Sequence, residues 1–139
     1  MPTVNVAVVI HVETAITQAS NGVITTGLYM IDTTGYVGTS SGEATNELKT
    51  TVNTGSVLVW TPYPVDPGTN VVISAVTGNA VSNQVFQKLS TSNMTPAGQA
   101  YASCVINSGA TAGVTTQYSL SLTMNGVTYT YDPYVYVAS

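Results

Sequence analysis

The sequence predicts an all-β fold, a single-domain antiparallel β-sandwich of jelly-roll type with about eight or nine strands. Three observations predict it. Short segments rich in Val, Thr and Tyr are separated by clusters of Gly, Pro, Asn and Ser at intervals of roughly 8 to 14 residues. No segment sustains a helical repeat of apolar positions. Tyr118 to Met124 alternates apolar and hydroxyl residues up to Asn125-Gly126, a dipeptide that favours two-residue hairpin loops because it tolerates positive φ at both turn positions.

The elements follow from these signals in chain order. Val4 to Val12 is a Val/Ile-rich run expected to be a central strand buried on both faces. Val23 to Ile31 is the next β-rich stretch, and Asp32 to Gly42 is a loop by its Gly, Ser and Thr content. Strands are expected at Ala44 to Val52 and Ser56 to Trp60, hairpinned across Asn53-Thr54-Gly55. Pro62, Pro64 and Pro67 then argue against a helix or a central strand over Thr61 to Gly68, which reads as a stiff connector. Thr69 to Val76 and Ala80 to Leu89 read as strands across Thr77-Gly78-Asn79, followed by a loop over Ser90 to Gly98 and a strand over Gln99 to Ile106. The helix candidates are Glu43 to Leu48 and Pro96 to Ala102. In the hairpin at the end, Tyr118, Leu120, Leu122 and Met124 share the core-facing side, Val127 to Tyr131 pairs back, and Tyr134 to Val137 follows the break at Asp132-Pro133. No linker or internal repeat divides the 139 residues, a length that suits one domain.

Composition excludes several functions. Charged residues are 6% of the chain, against about 25% in ordinary globular proteins. There is no arginine, the lysines are Lys49 and Lys88, and the formal net charge is −4. Nucleic acid and anionic membrane surfaces, both of which are bound by clustered basic residues, are therefore not expected partners. A charge-poor surface offers little repulsion between copies, so self-association into a homodimer or larger assembly is expected to cost less than usual. Cys104 has no partner for an internal disulfide, Met1-Pro2-Thr3 lacks the basic start of a secretory signal, and no run approaches the roughly 18 apolar residues of a membrane span. The expected location is the cytoplasm.

Catalytic equipment is sparse. His11 is the one histidine and Cys104 the one thiol, so a nucleophile-base pair would have to join these two. The six acids are scattered singly, which suits neither a paired-carboxylate glycosidase nor a metal centre; Glu43 and Glu47 would be neighbours on a helical turn, and Asp32 or Asp66 could join loop carbonyls around calcium. Neither a catalytic residue, a metal site nor a cofactor is expected. Sugar binding is the alternative, because a lectin site needs amides, a carboxylate and an aromatic platform. Trp60, Tyr63, Asp66, Asn79 and Asn83 around the proline-rich segment are the candidates for a glycan. Tyr129, Tyr131, Tyr134 and Tyr136 are the candidates for a subunit interface, with alternate members facing outward.

Several segments in order resemble the AidA/PixA inclusion-body protein family of bacteria. They are Val6-Ala7-Val8-Val9-Ile10 leading to Glu13-Thr14, Tyr29-Met30-Ile31, Ser41 to Leu48, Lys49 to Trp60, and Tyr131-Asp132-Pro133 before a short apolar strand. The chain departs from that family in having only Ala15 to Gly27 where members carry a longer Pro/Asn-rich insertion. His11 replaces a usual acidic residue, and Tyr131 stands where a tryptophan often precedes Asp-Pro. The resemblance is to a divergent or minimal member. It implies a non-enzymatic protein that accumulates in cytoplasmic inclusions, and it carries over no catalytic residue.

Overall fold

In a computed structural model that describes residues 3–33, 48–66 and 69–138, the described residues form eleven strands and two short helices. β1 (Thr3–Ile10) buries Val4, Val6, Val8 and Ile10 on one side and leaves Thr3 and Asn5 exposed and Ala7 and Val9 half-buried on the other. The expected two-sided burial is thus one-sided. The outer side of this apolar run remains near the surface.

β1 is flanked by β2 (Leu28–Asp32), antiparallel to it, and by β4 (Val57–Pro64), parallel to it in the register Val6↔Trp60, Val8↔Pro62 and Ile10↔Pro64. β7 (Ala100–Ile106) and β6 (Phe86–Met94) complete a five-stranded sheet in the order β2-β1-β4-β7-β6. The parallel pairing corrects the expected all-antiparallel arrangement. Turn chemistry announces antiparallel neighbours, whereas parallel strands need a long crossover that leaves no local signature. A second parallel pair joins β3 (Lys49–Val52) to β11 (Tyr134–Val137).

β4 also corrects the reading of Thr61 to Gly68 as a connector, since it runs through both Pro62 and Pro64. A strand residue turns its N–H and C=O to the same edge. Pro62 O accepts from Gln99 Nε2 at 3.2 Å, on the side away from β1, so its ring nitrogen is also turned away from that ladder. Beyond Trp60, β4 has no registered β7 partner, and no ladder donor is required there.

The remaining strands form two three-stranded sheets, β10-β9-β5 and β3-β11-β8. β8 (Val114–Gln117) and β9 (Ser119–Met124) are separated only by Tyr118, and β10 (Val127–Tyr131) and β11 only by Asp132-Pro133. Tyr118 N donates to Pro133 O across the break at 3.0 Å. The two sheets are therefore halves of one long hairpin turned at Asn125-Gly126, where φ is 52° and 82° as the dipeptide predicts. β5 (Val71–Thr77) extends this arrangement against β9 and β3 against β11. Tyr118, Leu120, Leu122 and Met124 are all buried, as their alternation predicts. The buried apolar residues of all three sheets join in one core cluster.

Local signals failed where a loop joins different sheets. Asn53-Thr54-Gly55 does not close a hairpin, because β3 pairs with β11 and β4 with β1. Thr77-Gly78-Asn79 likewise leads from β5 into α2 (Asn79–Ser82), and the strand expected from Ala80 begins only at Phe86. Pro96 to Gly98 is a turn and Ala100 already a strand, so the helix expected over Pro96 to Ala102 is absent. Most of the other expected helix, Glu43 to Glu47, lies outside the described residues. α1 (Val12–Gln18) was not expected, since Val12 continued an apolar run.

Candidate functional site

The start of α1 is capped by a distant carboxylate. His11 occupies its N-cap position without a side-chain cap of its own, while Asp66 at the end of β4 accepts Val12 N at 2.8 Å and Glu13 N at 3.1 Å. These are two of the four amides a helix start leaves without internal partners. His11 Nε2 lies 3.6 Å from Asp66 Oδ2, and His11 Nδ1 is 2.7 Å from Thr14 Oγ1. Partial desolvation pushes the Asp66 carboxyl up, but the Glu13 and Val12 amides and the neighbouring His11 outweigh it and hold the group below its ordinary 3.8. A depressed folded pKa contributes stability above the unfolded value, and that contribution disappears as pH falls through the folded value. Asp66→Ala is expected to lower Tm by a few degrees at neutral pH, as for a lost N-cap. The gap from the native protein should close as pH is taken below 3.8; thermal melts that keep the gap constant would assign the effect to packing instead.

The five residues expected around a sugar do not gather. Trp60 is fully enclosed: its ring centroid lies 5.5 Å from that of Phe86 and 5.6 Å from that of Tyr118, and its Nε1 donates to Tyr118 Oη at 3.0 Å. A ring inside the core cannot stack on a ligand, so Trp60 is corrected from platform to core. Asp66 is committed to α1. Tyr63 is 45% exposed on the opposite side of β4 from Trp60. Asn79 and Asn83 are exposed at the two ends of α2, whose neighbours are β5, β6 and β8.

The four tyrosines divide. Tyr131 is buried and Tyr129 packs against the core, whereas Tyr134 and Tyr136 are half-buried on the outer side of β11, with Val135 and Val137 inward. Burial corrects Tyr131 as a contact residue. Tyr136 receives the Lys49 ammonium 5.8 Å from its ring centroid, so that outer face carries a charge. The His11 and Cys104 pair is not formed either. Cys104 is buried opposite Leu58, and burial pushes its thiol up to about 12; His11 stands beyond Pro64, roughly 20 Å along the strand direction. Among the described residues no three His, Cys, Asp or Glu side chains converge as metal ligands, and no helix is long and apolar enough to cross a membrane.

The feature the sequence reading missed is the outer face of the five-stranded sheet. Ile31, Ala7 and Thr61 form one cross-strand row, and Tyr29, Val9 and Tyr63 the next but one along the strands. Between strand ends, Asn5, Val59 and Ser103 form a third. Tyr29, Ile31 and Tyr63 are each nearly half exposed, and none of these nine residues is charged. A shallow hollow of about 280 Å³ lies among Asn5, Ala7, Ile31, Thr61 and Tyr63, with the buried Asp32 also in its lining. The alternation Tyr29-Met30-Ile31, together with Val57-Leu58-Val59, contained the signal: both phases are apolar, so one apolar set has to face outward.

The family described as "Domain of unknown function (DUF8788)" matches residues 2–130. The chain belongs to that family. No curated protein matches it in sequence. Its fold is similar to that of the inclusion body protein PixA from Burkholderia cenocepacia J2315, known from a crystal structure, with a TM-score of 0.68 over 99% of this chain and 96% of that one. The two are 16% identical, so the similarity is one of fold. The AidA/PixA resemblance read from the sequence holds at that level, and this DUF8788 chain is an all-β relative in architecture.

Proposed function

We propose that this DUF8788 protein is a non-enzymatic β-sandwich protein that associates with itself in the cytoplasm, in the manner of an inclusion-body protein, through the outer face of the five-stranded sheet. The observation that carries the reading is the set of apolar, uncharged rows on that face. Contiguous exposed apolar surface marks an interaction site in soluble proteins. A second copy is the partner that fits, because a two-fold contact brings the same patch of each copy together, and the nine residues of the rows carry no charge to repel one another. The half-exposed ring of Tyr63 borders the same hollow as Ala7 and Ile31, so the apolar surface of the rows is continuous with it. The similarity of fold to an inclusion body protein supports the reading.

The outer face of the β3-β11-β8 sheet is less suited, since Lys49 stands over Tyr136. The far edge of the five-stranded sheet is guarded in another way. β6 has two register shifts against β7, and its exposed Lys88 takes φ of 53°, devices that discourage edge-to-edge pairing. Association is therefore expected face to face.

Sedimentation velocity over a concentration series tests this. The native protein is expected to form dimers or larger species as concentration rises, and Ile31→Lys/Tyr63→Lys to shift the midpoint at least about 100-fold towards monomer, because each copy then buries like charges opposite one another. Both positions are half exposed, so Tm should hardly change. A native protein that stays monomeric at the highest concentrations, or a double variant that assembles as before, would overturn the reading.

A further inference from the structure

We propose that the turn at Asn21-Gly22 is a site of spontaneous deamidation, and that its isoaspartate form uncovers the edge of the β10-β9-β5 sheet. None of the residues involved belongs to the rows of the associating face, and nothing in the reaction depends on self-association. β10 is an edge strand of that sheet. Its edge is covered at Thr130, whose N donates to Gly22 O at 2.9 Å and whose O accepts Ile24 N at 2.8 Å. The covering segment owes its shape to a two-residue turn, in which Ser20 N donates to Val23 O and Val23 N to Ser20 O, both at 2.9 Å. Asn21 and Gly22 fill the turn positions with φ of 52° and 78°, as Asn125 and Gly126 do in the long hairpin. Directly after the turn, Ile24 enters the core and is 2% exposed. One tight turn therefore positions both a core side chain and the cover of a strand edge.

Three features open Asn21 to attack by its own neighbour. Asn21 and Gly22 are both exposed, so water and hydroxide reach them. Neither the Asn21 carboxamide nor Gly22 N is held by a hydrogen bond among the described residues. A Cβ added at Gly22 would meet nothing within 4 Å, so a five-membered ring has room to form. Hydroxide removes the Gly22 N–H proton, and the nitrogen attacks Asn21 Cγ. The N–Cγ bond forms, the Cγ–Nδ2 bond breaks, and Nδ2 takes a proton from water and leaves as ammonia. Water then opens the succinimide at either carbonyl, which gives an aspartate or a β-linked isoaspartate at position 21. The isoaspartate carries the main chain through Cβ and so lengthens it by one atom. A turn closed on both sides between Ser20 and Val23 has no place for that atom, and Gly22 O and Ile24 N are drawn off Thr130 with it. Asn107 shows the opposite arrangement. Its Nδ2 donates to Gln84 O and its Oδ1 accepts Gly109 N, each at 2.9 Å, so its carboxamide is fixed.

Ageing the full chain in mildly alkaline buffer tests this, with the products separated by ion exchange on their added negative charge and then read by peptide mapping and amide hydrogen exchange. Isoaspartate is expected at position 21 before Asn107 changes measurably. In that species the protection of the Ile24 and Thr130 amides should fall at least about tenfold, while the core strands keep theirs. Isoaspartate at position 125, at the tip of the other Asn-Gly turn, should leave both amides as protected as before. Asn21→Gly removes the reacting carboxamide, and Gly-Gly still suits the turn. That variant should keep Ile24 and Thr130 protected throughout ageing. An unreacted Asn21 after position 125 or Asn107 has converted, native protection of Ile24 and Thr130 in the isoaspartate species, or an equal loss of protection in aged Asn21→Gly would each overturn the proposal.

Discussion

Trp60→Ala is expected to destabilise the protein by about 3–5 kcal/mol, the range for emptying the site of a buried large aromatic. Against a total stability of roughly 5–15 kcal/mol, this is a large fraction, with a fall in Tm on the order of 15 °C. The cost has two parts. The ring fills the space between Phe86 and Tyr118, and Nε1 satisfies Tyr118 Oη, which would otherwise be a buried hydroxyl without that donor. Trp60 comes from the five-stranded sheet and Tyr118 from the junction of β8 and β9, so this contact ties that sheet to the strands of the other two. Trp60→Phe keeps most of the ring and loses the donor, and its cost should fall between those of the native protein and the alanine variant. Urea unfolding should show a lower midpoint at an unchanged slope. Because Trp60 is the single tryptophan, its fluorescence reports the core directly: native emission at the position of a solvated indole would show that the ring is not enclosed. Loss of any ligand in Trp60→Ala would then report unfolding, not a missing contact.

What could be read from the sequence was what neighbouring residues decide among themselves. The hairpin at Asn125-Gly126 and the inward set Tyr118, Leu120, Leu122 and Met124 are local, and both were legible. α1 was not, because its start is capped by Asp66, 54 residues beyond Val12. The parallel pairs β1–β4 and β3–β11 join segments too far apart for any turn to announce them. Trp60 was misplaced for a more instructive reason. Ending the strand at the prolines removed the phase that fixes its direction, whereas continuing the alternation Leu58, Trp60, Pro62 puts those three inward and Tyr63 outward, as observed. The tyrosines follow the same rule. Tyr129 and Tyr131 share the inward phase, and the odd step from Tyr131 to Tyr134 turns Tyr134 and Tyr136 outward.

Gly27→Ala is expected to cost about 3 kcal/mol, more than the roughly 1–2 kcal/mol that positive φ alone imposes on a residue with a Cβ. Gly27 has φ of +80°, and a Cβ there would lie 2.9 Å from Ala15 N and 3.2 Å from His11 O. Both atoms are backbone and belong to the first turn of α1, where Ala15 N donates to His11 O at 2.9 Å and His11 N donates to Gly27 O at 2.8 Å. The helix start must move if the Cβ is added, and with it the Val12 and Glu13 amides that Asp66 holds. Gly126→Ala is the control, since its φ of +82° is the same but nothing lies within 4 Å of the added atom. The difference between the two variants measures the close approach itself, and equal losses would show that α1 yields without cost. Coupling gives a second readout. If Gly27 acts through the helix start, the losses from Gly27→Ala and Asp66→Ala should be less than additive, because each variant already removes part of what the other disturbs. Full additivity in chemical denaturation would separate the two sites and leave the close contact of Gly27 as a local matter of β2 and α1.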